Sequence, residues 1–423
     1  MNEKKVQLKS WLHGPDWDAE DSAAQGARGC FSEKSSADIQ AEERVKADYN
    51  LRKETIFKET SGRGHGAVTD QSNFTFCIDN LTRASTLLLC APEYGSHLQQ
   101  SLRRATAERG FHLPESLSAE AREIMTAQFS LYDRMQAAEI PGEDARFILP
   151  LFTKTTIQTS WDARELAHLH SMSQRQGVPE EVKDTVYQMM NLASEKAPRL
   201  MADRKVNYET LAWYPSSQLF APTNQTIENI ISNHNSPQKV LLLNHAEIPM
   251  SQEAIDKAVM QRDETELANL KHFHYTFLAP MSLATFHQAT RQRTWNQSVQ
   301  TIKDSAKAGN YITPPKIKPE FIEEYASLTQ RAIDFARNNE SPEALGILPH
   351  SLQVYDLIHV NGWNAVHSIG KRTCTEAQWE IRNIAKQMAS YIKEICPELG
   401  KYAAPQGMIY GKCPERKPCG LCR

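Results

Sequence analysis

Apolar residues recur every three to four positions over 117–140 and 161–201, the spacing of helices that bury one face. The same spacing returns at 251–271, 318–340 and 374–396. Phe74-Thr-Phe-Cys-Ile alternates instead, as a half-buried strand does. The stretch 82–110 reads as helix-permissive despite Pro92 and Gly95. Residues 36–60 could form an exposed helix, while most of 1–60 is polar. Turn residues around a short apolar run at 233–250 mark a boundary, and the Pro-, Gly- and Cys-rich tail from Pro405 is expected to be irregular. The pattern predicts an α+β chain.

Two stretches of the chain resemble each other. Ile148-Leu149-Pro150 returns as Ile347-Leu348-Pro349, an offset of 199 residues. At that offset Glu181–Met189 lies over Glu380–Met388, sharing Glu, Gln and Met, and His168 lies over His367. Phe74-Thr-Phe resembles Tyr275-Thr-Phe at an offset of 201. Ordered matches at nearly constant spacing point to an old internal duplication.

Composition narrows the reading. In 423 residues, 48 Lys and Arg stand against 51 Asp and Glu, so a broad phosphate-tracking surface is not expected and nucleic acid is not an expected partner. No run of 18 apolar residues occurs, so no membrane span is expected. The first residues carry charge without an apolar stretch, unlike a secretory signal, and the expected compartment is the cytoplasm. There the eight cysteines are expected as thiols or metal ligands rather than disulfides. Cys413, Cys419 and Cys422 crowd the tail, and with Cys396 as a fourth ligand they could hold zinc; the alternative is a tail of free thiols.

Polar clusters differ between the repeats. Gln288-Ala-Thr-Arg291-Gln292-Arg293 can present two guanidinium forks to a phosphate or a carbonyl-rich ring, and its first-copy counterpart is Ala91-Pro92-Glu93. Gln99-Gln-Ser101-Leu-Arg103-Arg104 can bind a phosphate, whereas its second-copy counterpart, Val299-Gln-Thr301-Ile-Lys303-Asp304, is weaker. Either cluster alone also fits a solvated helix face. Arg372 precedes Ala377-Gln-Trp-Glu-Ile-Arg382 and wants either a ligand or a structural partner such as Glu380.

These residues resemble the signature of the flavin-dependent thymidylate synthases: an R-H-R element, an A-R-x-(V/I)-L-P segment, an N-x-R segment and an L-R…A-Q-W-E-I-R helix. The second copy carries Arg291-Gln292-Arg293, Leu345-Gly-Ile-Leu-Pro349, Asn361-Gly-Trp363 and Lys371-Arg372…Ala377–Arg382. The first carries Ser96, Gln99, Ser101 and Arg103, then Ala145-Arg146-Phe-Ile-Leu-Pro150 and Asp162-Ala-Arg164, with Ser173 where the family arginine belongs.

The resemblance implies a chain of two diverged thymidylate-synthase-like modules forming a pseudo-dimer. A polar extension (1–60) is followed by the modules (61–232 and 233–404) and a Cys-rich tail (405–423). It implies methylation, or hydroxymethylation, at C5 of a pyrimidine nucleotide such as dUMP. FAD and NADPH would serve, with methylenetetrahydrofolate as carbon donor. It assigns Gln99, Ser101, Arg103, Arg146 and Gln288 to the nucleotide. It assigns His65, Arg291, Gln292, Arg293, Asn361 and His367 to the flavin, and Arg372 to the reacting pyrimidine. Each copy keeps what the other has lost. Because family sites form between subunits of a homotetramer, a homodimer of this chain is expected. The alternatives are an inactive flavin- or nucleotide-binding scaffold or partner subunit, and a relative acting on UMP or CMP in the biosynthesis of modified nucleosides.

Overall fold

The computed structural model describes residues 3–15, 17–202 and 214–422. The chain divides into two units, 1–222 with 316–349, and 223–315 with 350–423.

The first unit is built on a four-stranded antiparallel sheet. Its strands are β1 (Lys5–Trp11), β2 (Phe74–Thr82), β3 (Ser96–Gln99) and β4 (Lys154–Trp161), in the order β1-β2-β4-β3. Phe74, Phe76 and Ile78 alternate into the core and are fully buried, which accounts for the strand periodicity. Residues 5–11, part of the expected polar extension, form the edge strand, with Val6 and Leu8 alternating with polar residues. Residues 36–60 form two helices, Ser36–Arg44 and Tyr49–Glu59, rather than one.

The second unit repeats the plan. Its strands are β5 (Leu241–Ala246), β6 (His274–Ser282), β7 (Asn296–Val299) and β8 (Gln353–Asn361), in the order β5-β6-β8-β7, again antiparallel.

Two helical expectations are corrected. The run 82–110 holds only the short helix Arg83–Leu89. It ends before Pro92 and Gly95, and β3 follows. The run 161–201 splits into Ala163–Ser173 and Glu180–Lys196, broken at Gly177 (φ +95°) and Pro179.

The duplication is visible in hydrogen bonds as well as in strand order. Thr82 Oγ and Ser85 Oγ donate to Glu181 Oε2, each at 2.6 Å. In the second unit Ser282 Oγ and Thr285 Oγ donate to Glu380 Oε2 at 2.6 and 2.7 Å, and Ser282 N donates to Oε1 at 2.7 Å. Each carboxylate opens a helix of 17 residues, Glu180–Lys196 or Trp379–Ile395. The offset also has a structural cause where it changes. The β2–β4 register slips between Asp79 and Leu81, whereas β6 and β8 pair without a slip. Asn80, at φ +59°, is the extra residue. It turns the offset of 201 at Phe74 and Tyr275 into 200 at Thr82 and Ser282.

Glu380→Ala would leave the buried Ser282 amide and hydroxyl without an acceptor, and Thr285 Oγ with only the longer bond to Gln378 Oε1 at 3.4 Å. The expected loss is about 3 kcal/mol of stability, read as a lower urea midpoint with an unchanged slope. An unchanged midpoint would contradict a structural role for the carboxylate.

The segment 316–349, from the second repeat, groups with the first unit. Its helix Pro319–Asn338 pairs with Ala119–Ala137 through Arg331–Glu123 at 3.0 Å and Arg134–Glu324. Gln128 Nε2 donates to the Ile347 carbonyl at 3.1 Å, and Leu151 N to the Leu348 carbonyl at 2.9 Å. The two Ile-Leu-Pro segments thus meet in one core, with Pro150 bridged to Pro349.

Candidate functional site

In the first unit, β3 delivers the chain to a tight turn. Gln99 Nε2 donates to Thr86 Oγ at 3.0 Å. The Gln100 amide bonds the Thr156 carbonyl at 3.0 Å. The Ser101 carbonyl then accepts from Arg104 N and Ala105 N at 3.1 and 2.9 Å, closing one helical turn. Ser101 is exposed at its start. Arg103 turns to Glu143, Nε at 3.1 Å and Nη2 at 3.0 Å. Arg146 Nε reaches the carbonyl of the same Glu143 at 3.4 Å. Glu143 therefore links two arginines that lie far apart in sequence. The result is a hydroxyl and two forked cations on neighbouring turns, a donor set suited to a phosphate.

In the second unit, the helix Leu283–Ala289 runs into the 290–295 turn. Gln288 donates back to the Ala284 carbonyl at 3.2 Å, within its own helix. Arg291 and Arg293 stand exposed. The turn between them is pinned at three places to residues 361–372. Gln292, with its amide oxygen facing Arg372, accepts from Nε at 3.1 Å and Nη2 at 2.6 Å. Thr294 Oγ donates to Asn364 Oδ1 at 2.6 Å, and Asn364 Nδ2 returns a bond to the Thr294 carbonyl at 3.1 Å. Trp295 Nε1 donates to Ser368 Oγ at 2.7 Å. Asn361 Oδ1 caps the next turn, accepting from Asn364 N and Nδ2, each at 3.1 Å.

The stretch after Asn361 is not a plain α-helix. Ala365–Ile369 is a π-helical turn between two short α-helical turns, Gly362–Asn364 and Gly370–Arg372. In the first unit the equivalent residues form the regular helix Ala163–Ser173. The wider turn exposes His367, while His168 at the same repeat position is buried. His367 stacks on Trp363 with ring centroids 5.0 Å apart and planes 9° from parallel. Burial, and then the charge of Lys371, lowers the His367 pKa. The Glu380 oxygens accept from Ser282 and Thr285, and Arg372 reaches Gln292.

Comparison with known families adds the decisive observation. The family described as thymidylate synthase complementing protein matches at two places, residues 15–199 and 222–398. The chain belongs to this family. Its two family regions each carry their own sheet, the first completed at its edge by β1 from outside the matched residues. A flavin-dependent thymidylate synthase from Clostridium tetani is 29% identical over 171 residues, 34% of this chain and 68% of that one. One from Geobacter sulfurreducens is 32% identical over 149 residues, 33% of this chain and 64% of that one. The chain thus spans about two thirds of the length of these relatives. A solved structure of a UMP/dUMP methylase, PolB from Streptomyces cacaoi, covers 50% of this chain and 98% of its own. Its identity is 15% and its TM-score 0.40, a likeness too loose to bear on function.

The two family regions are chemically unequal. In the first, the counterpart of the Arg291–Arg293 turn has become acidic. Glu93 stands for Arg293, Asp162 for Asn361 and Glu165 for Asn364. Burial, aided by the charges of Asp70 and Glu165, pushes the Asp162 carboxyl up to about 6 against the opposing Glu165 amide bond. Burial and Glu165 likewise raise Glu93. Arg164 pairs with Asp70. Four carboxyls and one guanidinium gather here, a set with net negative charge when ionised.

The remaining expectations fall as follows. His65 is exposed at the start of the 3-10 turn Gly66–Gln71, in the first unit. Among the described residues, no group of three or more His, Cys, Asp or Glu side chains is arranged to hold a metal ion. Cys396 turns to Glu398. Burial, then the charges of Cys419, Cys413 and Cys374, raises the Cys422 thiol. No helix among the described residues is long and apolar enough to cross a membrane.

Sequence reading missed Asn364, Trp295 and Ser368, which hold the 290–295 turn in place. They carry no family motif and are legible only as partners in space. It also missed Asp356, a fully buried β8 carboxyl that accepts from Gln297 at 2.5 Å. Burial pushes its pKa well above the usual range, against that bond.

Proposed function

We propose that this chain methylates C5 of a pyrimidine nucleoside monophosphate, with dUMP as the first substrate to test, and that its two family regions divide the work. The first region holds the phosphate through Ser101, Arg103 and Arg146. The second holds FAD and the pyrimidine ring. Gln288 is assigned to the nucleotide and Asn361 to the flavin in the same reading. The observation that carries it is the link from Gln292 to Arg372, which sets the ring-binding cation beside the exposed Arg291 and Arg293.

The donor set of the second region fits a flavin cofactor. Two exposed guanidiniums on a pinned turn suit its diphosphate, and the stacked Trp363 and His367 offer a flat polar surface. When bound, FAD would supply electron-pair transfer, with NADPH as reductant and methylenetetrahydrofolate as carbon donor.

The chain's own residues then have defined tasks. The phosphate arginines fix the nucleotide's position and neutralise its charge before reaction. Arg372 faces the pyrimidine carbonyls and stabilises negative charge that develops on oxygen as C5 becomes nucleophilic. Gln292 holds the Arg372 fork, so the cation needs no reorientation during the reaction. A homodimer carrying four family regions belongs to the same reading.

The test is incubation of the purified chain with dUMP or UMP, FAD, NADPH and methylenetetrahydrofolate. The expected result is a C5-methylated monophosphate, found by mass spectrometry. Absence of product with both nucleotides, although flavin and nucleotide bind, would turn the reading to a binding scaffold.

A further inference from the structure

The Cys-rich tail carries an inference that the proposed activity does not use. Its thiols follow the order Cys413-x5-Cys419-x2-Cys422. Two cysteines spaced as Cys419 and Cys422 can reach the same ion from one turn, as in structural zinc sites. Gly420, at φ +80°, lies in the turn between them. Gly407, in the short helix Gln406–Tyr410, lets the end of the chain come close. A Cβ there would stand 2.5 Å from Cys422 Cβ, 3.1 Å from its Sγ and 3.3 Å from Cys413 Cα. Cys413 and Cys422 are therefore gathered over one small residue.

A fourth thiol comes from outside the tail. The Thr375 hydroxyl and the Leu421 amide donate to the Cys419 sulfur, and the Met408 amide donates to that of Cys422. Thr375 directly follows Cys374. Cys374, Cys413 and Cys419 all stand close enough to Cys422 for their charges to act on it. Donors aimed at sulfur favour the thiolate, the form that ligates metal. In the loop 412–417, Lys412, Arg416 and Lys417 stand against Glu415 alone, a positive surplus that suits the net negative charge of a zinc tetrathiolate. Among the described residues the sulfurs do not already meet round one point. Closing the set requires Cys419 to turn from Thr375, on a backbone that already brings the four residues together.

We propose that Cys374, Cys413, Cys419 and Cys422 bind one zinc ion as a tetrathiolate, and that the ion clasps the tail to the turn following Arg372. Each thiol releases its proton to solvent and its sulfur takes a coordination position; nothing is oxidised or reduced. The start of the tail already lies against that part of the chain: a Cβ at Gly370 would meet the Ala404 carbonyl oxygen at 2.6 Å, beside the helical turn Gly370–Arg372. The ion holds the other end of the tail to the same segment. The site is particular to the second region, because the counterpart of Cys374 in the first is Arg175. Its role is structural, with all four positions taken by protein and none left for substrate. The proposal stands apart from the nucleotide reading, and its readout needs no substrate.

The experiment is metal analysis of the full chain, purified under reducing conditions without a metal-affinity step, then incubated with zinc chloride and desalted. The wild type is compared with Cys374→Ser, Cys419→Ser and Cys396→Ser. The wild type and Cys396→Ser are expected to retain about one zinc per chain, and Cys374→Ser and Cys419→Ser about tenfold less or none. Cobalt loaded in place of zinc is expected to give the intense visible bands and thiolate charge-transfer absorption of a tetrahedral tetrathiolate. That spectrum is taken on the wild type, so it decides the matter even where a serine variant fails to fold. Melting in the presence of a chelator guards the variants: each should then match the chelated wild type, since none holds metal.

A wild type that keeps no zinc overturns the proposal and leaves the tail with free thiols. Cys374→Ser with full zinc, or Cys396→Ser with none, overturns the choice of fourth ligand and the clasp with it. A weak octahedral cobalt spectrum marks an adventitious ion only, and also overturns the proposal. Zinc retained as expected in a chain that makes no methylated nucleotide supports this proposal and counts against the activity alone.

Discussion

Arg372→Ala is expected to lower the rate of product formation by about a thousandfold or more, while FAD remains bound. Removing a donor aimed at a developing oxyanion costs about 10²–10³ in kcat, and loss of a full charge belongs at the upper end. The side chain is half-buried and fixed by Gln292 through both Nε and Nη2. A water molecule filling its space would restore neither the charge nor the fork. Gln292→Ala should show a milder version of the same defect, about tenfold in kcat, because the cation is present but no longer held. Flavin content separates the two roles: it should be unchanged in Arg372→Ala, since Arg291 and Arg293 are intact. A variant that loses flavin together with activity would show that Arg372 holds the cofactor instead. A variant with full activity would remove Arg372 from the mechanism.

Replacing both Arg291 and Arg293 with Ala is expected to weaken FAD binding by a hundredfold or more, so that the purified chain is colourless. Each exposed charge-assisted bond to a phosphate contributes roughly 1–2 kcal/mol, and the two side chains leave the same turn. The fold should survive, because Thr294, Trp295 and Gln292 hold the turn. Circular dichroism and the urea midpoint should match the wild type. The first region offers no substitute, since Glu93, Asp162 and Glu165 occupy the equivalent positions. Retention of a full flavin band in the double variant would contradict this assignment.

The sequence showed the duplication and the helices with long amphipathic periods, because a buried face repeated over four turns leaves a strong trace. It did not show β1, whose Lys5–Trp11 side chains are mostly polar or part-exposed. Its place depends on backbone pairing with β2, which any residue can supply. The 82–110 stretch misled because Leu87, Leu88 and Leu89 look helical. The Pro92 and Gly95 that follow release the chain into β3. At the candidate site, the sequence singled out the polar residues of the family motifs, Ser101, Arg103, Arg146, Arg291, Arg293 and Arg372, but not their supports. Glu143 joins Arg103 to Arg146, and Asn364 ties Thr294 to Asn361, across separations that no local pattern encodes. The π-helical turn at Ala365–Ile369 was equally silent, because the two copies have equal spacing there and differ only in how the backbone winds.

The central claim is that the two family regions have divided one activity, with flavin in the second and the monophosphate in the first. The most direct test is a visible-absorbance titration of the purified chain with FAD, followed by dUMP and then deoxyuridine. The account predicts saturation at one FAD per chain, and a shift of the flavin band with dUMP that deoxyuridine reproduces only at far higher concentration. Two FAD per chain would contradict the acidic reading of the first region. A chain that binds no FAD at all would contradict the division of labour itself.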